Sequence, residues 1–270
     1  MDRYAVIGHP VAHSKSPLIH AAFARQTGQS LSYEAIDVAP DALEASLAAL
    51  AAQGFRGLNV TLPHKVEVMR LCETVSDRAR RAGAVNTLLR TDNGWSGDNT
   101  DGEGCLRDLQ RLGFGLRGRR VLVLGAGGAV RGILEPLLRE QPAELVVSNR
   151  SPAKPEALAE EFRAIGPIRP CTHRALKGDR FDLIVHATSA GHDGSFPRLP
   201  GQLLAAGGQC YDLSYGHAFA PFRAWAESQG AAQVSDGLGM LVEQAAASFE
   251  RWRGLRPDTA PVIAQLRETA

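Results

Sequence analysis

Four consecutive apolar residues, Val121-Leu122-Val123-Leu124, run straight into Gly125-Ala126-Gly127-Gly128-Ala129. A run this apolar fits a parallel strand covered on both faces. A parallel sheet in turn calls for alternating strands and helices. The rest of the chain keeps that rhythm. Strand-like runs occupy Tyr4–Gly8, Tyr33–Asp37, Gly57–Thr61, Val85–Arg90, Arg120–Leu124, Glu144–Ser148, Phe181–Ala187 and Gln209–Leu213. Helical apolar spacing marks Ser16–Thr27, Pro40–Gln53, Lys65–Glu73, Asp101–Leu112, Gly127–Glu140, Ser151–Phe162, Gly239–Arg253 and Pro257–Thr269. Ser151 is placed to cap its helix, with Pro152 in the first turn. Gly113 ends the helix Asp101–Leu112.

At 270 residues, 44% of them hydrophobic, the chain has room for two cored domains. The first strand–helix series ends near Asp101–Leu116. The expected fold class is therefore α/β with two domains. Residues 1–101 form an N-terminal α/β substrate domain, to which the C-terminal helices of residues 239–270 return. Residues 102–238 form a Rossmann-like, doubly wound dinucleotide domain.

The glycine turn supports that division. At the start of a helix, backbone N–H groups can approach a pyrophosphate and the helix dipole favours the anion. Gly125 and Gly127 match the first two glycines of G-x-G-x-x-G, and Val130 stands at the third. Gly128 or Ala129 can supply the close packing instead. About 20 residues past such a turn, an NAD site places a carboxylate on the ribose 2′-hydroxyl. This chain reads Ser148-Asn149-Arg150-Ser151 there, followed by Lys154. Cations suit a 2′-phosphate that a carboxylate would repel, so the expected cofactor is NADP.

Polar residues crowd the strand ends of the first half: Ser14-Lys15-Ser16, Asn59–Lys65, Gly83-Ala84-Val85-Asn86-Thr87 and Gly97–Gly102. Strand ends in an open parallel sheet line the ligand crevice, and short hydroxyl and amide side chains there suit a polyhydroxylated ligand. Hydride transfer between a ketone and an alcohol needs a proton donor at the oxygen, a role a lysine can fill beside an orienting carboxylate. Lys65 and Asp101 are the candidates. Lys65, after Pro63-His64, reads as a first-turn residue of the following helix.

Other classes fit poorly. A net charge of +1 leaves no large basic face for nucleic acid. The short cluster Arg117-Gly118-Arg119-Arg120 reads as a solvated turn. Cys72, Cys105, Cys171 and Cys210 are far apart and read as free thiols of a reducing cytoplasm. Among His9, His13, His20, His64, His173, His192 and His217 only His9 and His13 stand four apart, a lone pair that makes no metal site by itself, so no metal is expected. The N-terminus lacks a signal-peptide pattern, and no apolar run approaches the ~20 residues of a membrane span. The expectation is a cytoplasmic monomer or homodimer acting on a small molecule, with neither nucleic acid nor membrane as partner.

Gly8–Pro17, Asn59–Lys65, Gly83–Leu88, Gly97–Gly102, Gly125–Ala129, Asn149–Ser151, Thr188–Gly191 and Asp236–Ala246, in this order, resemble the shikimate dehydrogenase family over nearly the whole chain. The resemblance implies reversible NADP-dependent reduction of 3-dehydroshikimate to shikimate, in chorismate and aromatic amino-acid biosynthesis. It implies Lys65 and Asp101 as the catalytic pair, with Lys65 exchanging the proton at the C3 oxygen. It implies Ser14 and Ser16 on the substrate carboxylate, and Asn59, Thr61, Asn86, Tyr215 and Gln244 on the ring hydroxyls or nearby groups. For the cofactor it implies Gly125, Ala126, Gly127, Gly128 and Ala129 at the pyrophosphate, and Asn149, Arg150 and Lys154 around the adenosine phosphate. Thr188, Leu213, Gly237 and Met240 lie along the ribose and nicotinamide, with Asp77 nearby. Met240 and Gln244, four apart, share one helix face. The chain departs from the family pattern at His186-Ala187-Thr188-Ser189, where the family often has asparagine first. Two other readings compete: a quinate/shikimate dehydrogenase using NAD, and a catalytically silent nucleotide-binding regulator. Ser16, Arg150 and the retained Lys65 and Asp101 weigh against them.

Overall fold

The computed structural model describes residues 1–268, apart from the side chain of His192. Thr269, the predicted end of the last helix, lies outside the described residues, as does Ala270. The chain forms two compact units, Met1–Gly104 with Leu241–Ala270, and Cys105–Met240.

Unit 1 is built on a six-stranded sheet. Its strands are β1 (Asp2–Gly8), β2 (Leu31–Asp37), β3 (Phe55–Val60), β4 (Thr74–Val75), β5 (Thr87–Arg90) and β6 (Trp95–Asp98), in the order β2-β1-β3-β5-β6-β4. The strands β2, β1 and β3 run parallel, but β5 is antiparallel to both β3 and β6. The sheet is thus mixed. The reversal brings the start of β5 beside the ends of its neighbours, pairing Asn59 with Thr87 and Thr87 with Asp98. Helices α1 (Ser16–Thr27), α2 (Leu43–Ala52) and α3 (Asp77–Ala82) complete the series. On α2, Leu43, Leu47 and Leu50 recur at helical spacing and are buried against Ile7, Leu58 and Leu88. The other face carries an aromatic cluster in which His20 stacks on Tyr33 at 4.1 Å and lies 5.3 Å from Trp252.

The predicted helix Lys65–Glu73 does not form. Lys65 sits in a turn, followed by a 3₁₀ segment over Glu67–Leu71 and then β4. The Lys65 carbonyl accepts from the Val85 N–H at 2.8 Å, so it is not available to close an α-helical turn. Pro40–Gln53 likewise divides into a 3₁₀ turn and α2.

Unit 2 carries β7 (Arg120–Leu124), β8 (Glu144–Asn149), β9 (Arg169–Thr172), β10 (Phe181–His186), β11 (Leu204–Asp212) and β12 (Gln233–Ser235), all parallel, in the order β12-β11-β10-β7-β8-β9. Read from β7, this is the doubly wound 3-2-1-4-5-6 arrangement, whose order reverses between β7 and β10. Val121 and Val123 enter one core cluster while Leu122 and Leu124 enter another, so both faces of β7 are covered. Helices α5 (Gly128–Arg139), α6 (Ala153–Glu161) and α7 (Ala220–Ser228) follow their strands. Ser151 does not cap α6: Pro152 occupies that position, and no side chain caps the helix. Ser151 is one residue too early to reach the amides it would cap. Two further helices, α4 (Asp101–Arg111) and α8 (Leu238–Arg253), contain the points where the chain passes from one unit to the other, and α9 (Ala260–Glu268) closes the chain.

Candidate active site

In unit 1, three strand ends and two helices converge on one polar cluster. Lys65 Nζ donates to Asp101 Oδ2 at 2.7 Å, with the two side chains 27% and 21% exposed. Asp101 is the first residue of α4, and its N–H donates to Asn99 Oδ1 at 3.0 Å. A carboxylate in a helix's first turn is favoured by the dipole. Asn86 Nδ2 holds the other oxygen, Asp101 Oδ1, at 2.7 Å, and also reaches Thr100 Oγ1 at 2.9 Å and Gln244 Oε1 at 3.3 Å. Asn86 Oδ1 accepts from Thr100 N–H at 2.9 Å and Thr87 Oγ1 at 2.8 Å. Asn59 Nδ2 donates to the Asn86 carbonyl and to Ser248 Oγ, while Tyr33 donates its phenol to Asn59 Oδ1 at 2.8 Å. Asn59 and Asn86 are buried and fully engaged, as buried amides must be. Gln244 reaches the cluster because Gly104 leaves room: a Cβ there would stand 2.7 Å from the Gln244 backbone nitrogen.

Ser16 opens α1, and its N–H donates to Ser14 Oγ at 3.2 Å. Thr61 follows β3, with its N–H on the Ile7 carbonyl at 2.9 Å. Asp98, from the same cassette as Asp101, does not join the Lys65 cluster. Burial would raise its pKa, but hydrogen bonds from Arg78 and Ser76 and the charge of Arg251 hold it at about 2. It is a structural tie between β6, α3 and α8.

In unit 2, a cavity of about 700 Å³ opens at the reversal point of the sheet. Residues 125–129 line it, with Asn149 at the end of β8, Arg150 and Lys154 after it, Ala187 and Thr188 after β10, and Leu213 after β11. Gly125 adopts φ +113°, and a Cβ there would stand 2.8 Å from the Ala187 carbonyl oxygen. Only glycine permits this close passage. The helix α5 begins with no side-chain cap at Gly127, so its first N–H groups remain for a ligand anion. No carboxylate pairs with Arg150 or Lys154 among the described residues. An uncapped helix start beside two unpaired cations fits a pyrophosphate and a further phosphate.

Sequence reasoning missed His173, which lines this cavity after β9 and bonds Ser148 Oγ through Nδ1 at 2.9 Å. Burial, and then the Arg150 charge, lower its pKa. No local signal could have found it, because β9 itself has no clear apolar pattern. Gly237, Met240, Tyr215 and Asp77 are not part of the cavity lining. A Cβ on Gly237 would stand 2.2 Å from the Leu213 carbonyl, and Met240 packs on the unit 2 core. Tyr215 precedes a 3₁₀ turn in unit 2, and burial raises its pKa. Asp77 opens α3 in unit 1, with an 80% exposed side chain 3.7 Å from Arg80. Among the described residues no group of three His, Cys, Asp or Glu side chains could hold a metal ion, and no helix is long and apolar enough to cross a membrane.

Residues 6–88 match a family model described as the shikimate dehydrogenase substrate binding domain, residues 108–193 one described as shikimate/quinate 5-dehydrogenase, and residues 237–267 one described as the shikimate 5′-dehydrogenase C-terminal domain. The NADP(+) shikimate dehydrogenase of Methylococcus capsulatus is 54% identical over 98% of this chain and 96% of its own. Among solved structures, an Ael1 enzyme from Pseudomonas putida is 46% identical with a TM-score of 0.94, covering 98% of both chains. A shikimate 5-dehydrogenase from Thermus thermophilus, in complex with NADP(H) and shikimate, is 38% identical with a TM-score of 0.85, covering both chains fully.

Proposed function

The chain belongs to the shikimate dehydrogenase family, and we propose that it interconverts 3-dehydroshikimate and shikimate with NADP(H), with Lys65 and Asp101 handling the proton. It is an NADP-dependent oxidoreductase, as its relatives are, and its reaction belongs to chorismate and aromatic amino-acid biosynthesis. NADPH, when bound, supplies the hydride. Lys65 donates a proton to the C3 oxygen as negative charge builds there, and takes it back in the oxidative direction. Asp101 orients the ammonium. Because Asn86 holds its other oxygen, the carboxylate cannot rotate away from Lys65.

Ser14 and Ser16, at the start of α1, suit the substrate carboxylate. Asn59, Thr61, Asn86, Tyr215 and Gln244 are the candidate partners of the ring hydroxyls and neighbouring groups. For the cofactor, residues 125–129 suit the pyrophosphate, and Asn149, Arg150 and Lys154 the adenosine phosphate. Thr188, Leu213, Gly237 and Met240 are assigned to the nicotinamide nucleoside, and Asp77 to its surroundings. Four free thiols suit the reducing cytoplasm as the working compartment.

The single observation that carries this reading is the 2.7 Å contact between Lys65 and Asp101, set in a hydrogen-bonded cluster. The test is a two-by-two assay of shikimate or quinate with NADP or NAD. Strong preference for shikimate with NADP is expected. Comparable turnover of quinate or NAD would move the protein to a catabolic role, and no turnover in any combination would make it a nucleotide-binding regulator.

A further inference from the structure

His186 ends β10 directly opposite Asp212 on β11. Its Nδ1 lies 3.0 Å from Asp212 Oδ2 and its Nε2 lies 2.6 Å from Thr188 Oγ1. Both His186 and Asp212 side chains are almost completely buried. The ring is held flat against Phe222, with centroids 5.1 Å apart and planes at 14°, and Phe196 packs edge-on at 5.3 Å. Asp212 Oδ1 accepts from the Ser214 N–H at 2.9 Å. The imidazole therefore has one orientation, bridging a carboxylate to a hydroxyl.

The bridge fixes where protons sit. A carboxylate only accepts, so in the neutral ring the single proton belongs on Nδ1 and Nε2 is left as an acceptor. Thr188 must then donate its own proton to Nε2. One lone pair of its oxygen accepts from the Ala190 N–H at 3.4 Å. The remaining lone pair is available to the cavity that Thr188 lines.

The sheet order says which part of a dinucleotide meets it. Arg150 follows β8, the glycine turn follows β7, and Thr188 follows β10, and these three strands are consecutive neighbours. With the pyrophosphate at the central turn and the 2′-phosphate on the β8 side, the nicotinamide nucleoside falls on the β10 side. Resting on the NADP reading above, we propose that His186 is a positioning residue. It turns the Thr188 hydroxyl into an acceptor that takes a neutral N–H or O–H donor from the nicotinamide nucleoside half of the cofactor.

Two measurements test this. In ligand-free protein carrying ¹⁵N-labelled histidine, His186 is expected as the Nδ1–H tautomer, and Thr188→Val should shift its Nε2 resonance. An Nε2–H tautomer, or an Nε2 resonance indifferent to Thr188→Val, would overturn the relay. Calorimetry then compares NADP⁺ with 2′-phospho-ADP, which keeps the pyrophosphate and the 2′-phosphate but lacks the whole nicotinamide nucleoside. Thr188→Val and His186→Asn should each weaken NADP⁺ binding about 3- to 10-fold, the range for one neutral hydrogen bond. Affinity for 2′-phospho-ADP should stay unchanged, and Thr188→Ser should retain wild-type NADP⁺ affinity. Equal loss for both ligands, or loss for neither, would refute the assignment while leaving the NADP reading intact. Wild-type protein that binds neither ligand would refute both.

Discussion

Mild acid should destabilise unit 1 through one residue. His20 lies fully buried beneath Tyr33, Phe249 and Trp252, and neither of its ring nitrogens has a hydrogen-bond partner. Burial pushes its pKa down to about 3, against a weaker opposing influence of Asn59. Asn59 Oδ1 is already occupied by the Tyr33 hydroxyl. The unfolded chain titrates near the ordinary value of 6.5. Below that pH the unfolded state binds a proton the folded state refuses. The stabilising difference is therefore complete above 6.5 and is lost progressively as pH falls toward 3. Lowering the pH from 6.5 to 5 spans about 1.5 pH units at roughly 1.4 kcal/mol each, or about 2 kcal/mol.

The assay is urea unfolding at pH 7 and pH 5, for the parent chain and for His20→Phe. Both are carried on Trp225→Phe, so that fluorescence reports on Trp95 and Trp252 in unit 1. Phenylalanine keeps the aromatic packing and cannot titrate. Any constant penalty from its size, and the titration of every other group, cancels in the comparison. The variant should gain about 2 kcal/mol relative to its parent on going from pH 7 to pH 5, a relative midpoint shift on the order of 1 M urea. Parallel pH dependence in the two proteins would mean that His20 is protonated in the folded state or hydrated, and the argument from burial would fall.

Three further outcomes are expected. Lys65→Ala should lower kcat by roughly 10²–10⁴-fold with little change in shikimate KM, the usual range for losing a proton donor; an unchanged kcat in steady-state assays would remove Lys65 from the chemistry. Arg150→Ala should raise the KM for NADP by roughly 10-fold, as for losing a charge-assisted bond, and leave that for NAD nearly unchanged; equal effects would show that it does not read the 2′-phosphate. Gly125→Ala forces a side chain into φ +113° against the Ala187 carbonyl, at a cost of about 1–3 kcal/mol; unchanged urea stability of unit 2 with unchanged NADP affinity would refute the close-passage argument.

Much of the molecule was legible in the sequence where the signal is local. The run Val121–Leu124 announced a strand buried on both faces, and its alternate residues do enter two separate cores. Gly125 and Gly127 marked a strand-to-helix turn, and the polar segments marked candidate ligand contacts by their residue types alone. What the sequence could not carry was pairing. β5 is four residues long, and nothing in Thr87-Leu88-Leu89-Arg90 states its direction, yet its antiparallel placement is what sets Asn86 and Thr87 beside Asn59 and Asp98. Lys65 read as helical until a carbonyl–amide bond to Val85 claimed its backbone. In the sequence His186 is marked only as a departure from the family pattern, and only the register of β10 on β11 gave it Asp212, 26 residues away, as a partner. Periodicity records which side of its own element a residue occupies, because burial acts on each segment separately. Which distant group faces it is decided by strand order and register, which arise only when segments far apart in the chain compete for the same hydrogen bonds and the same buried volume.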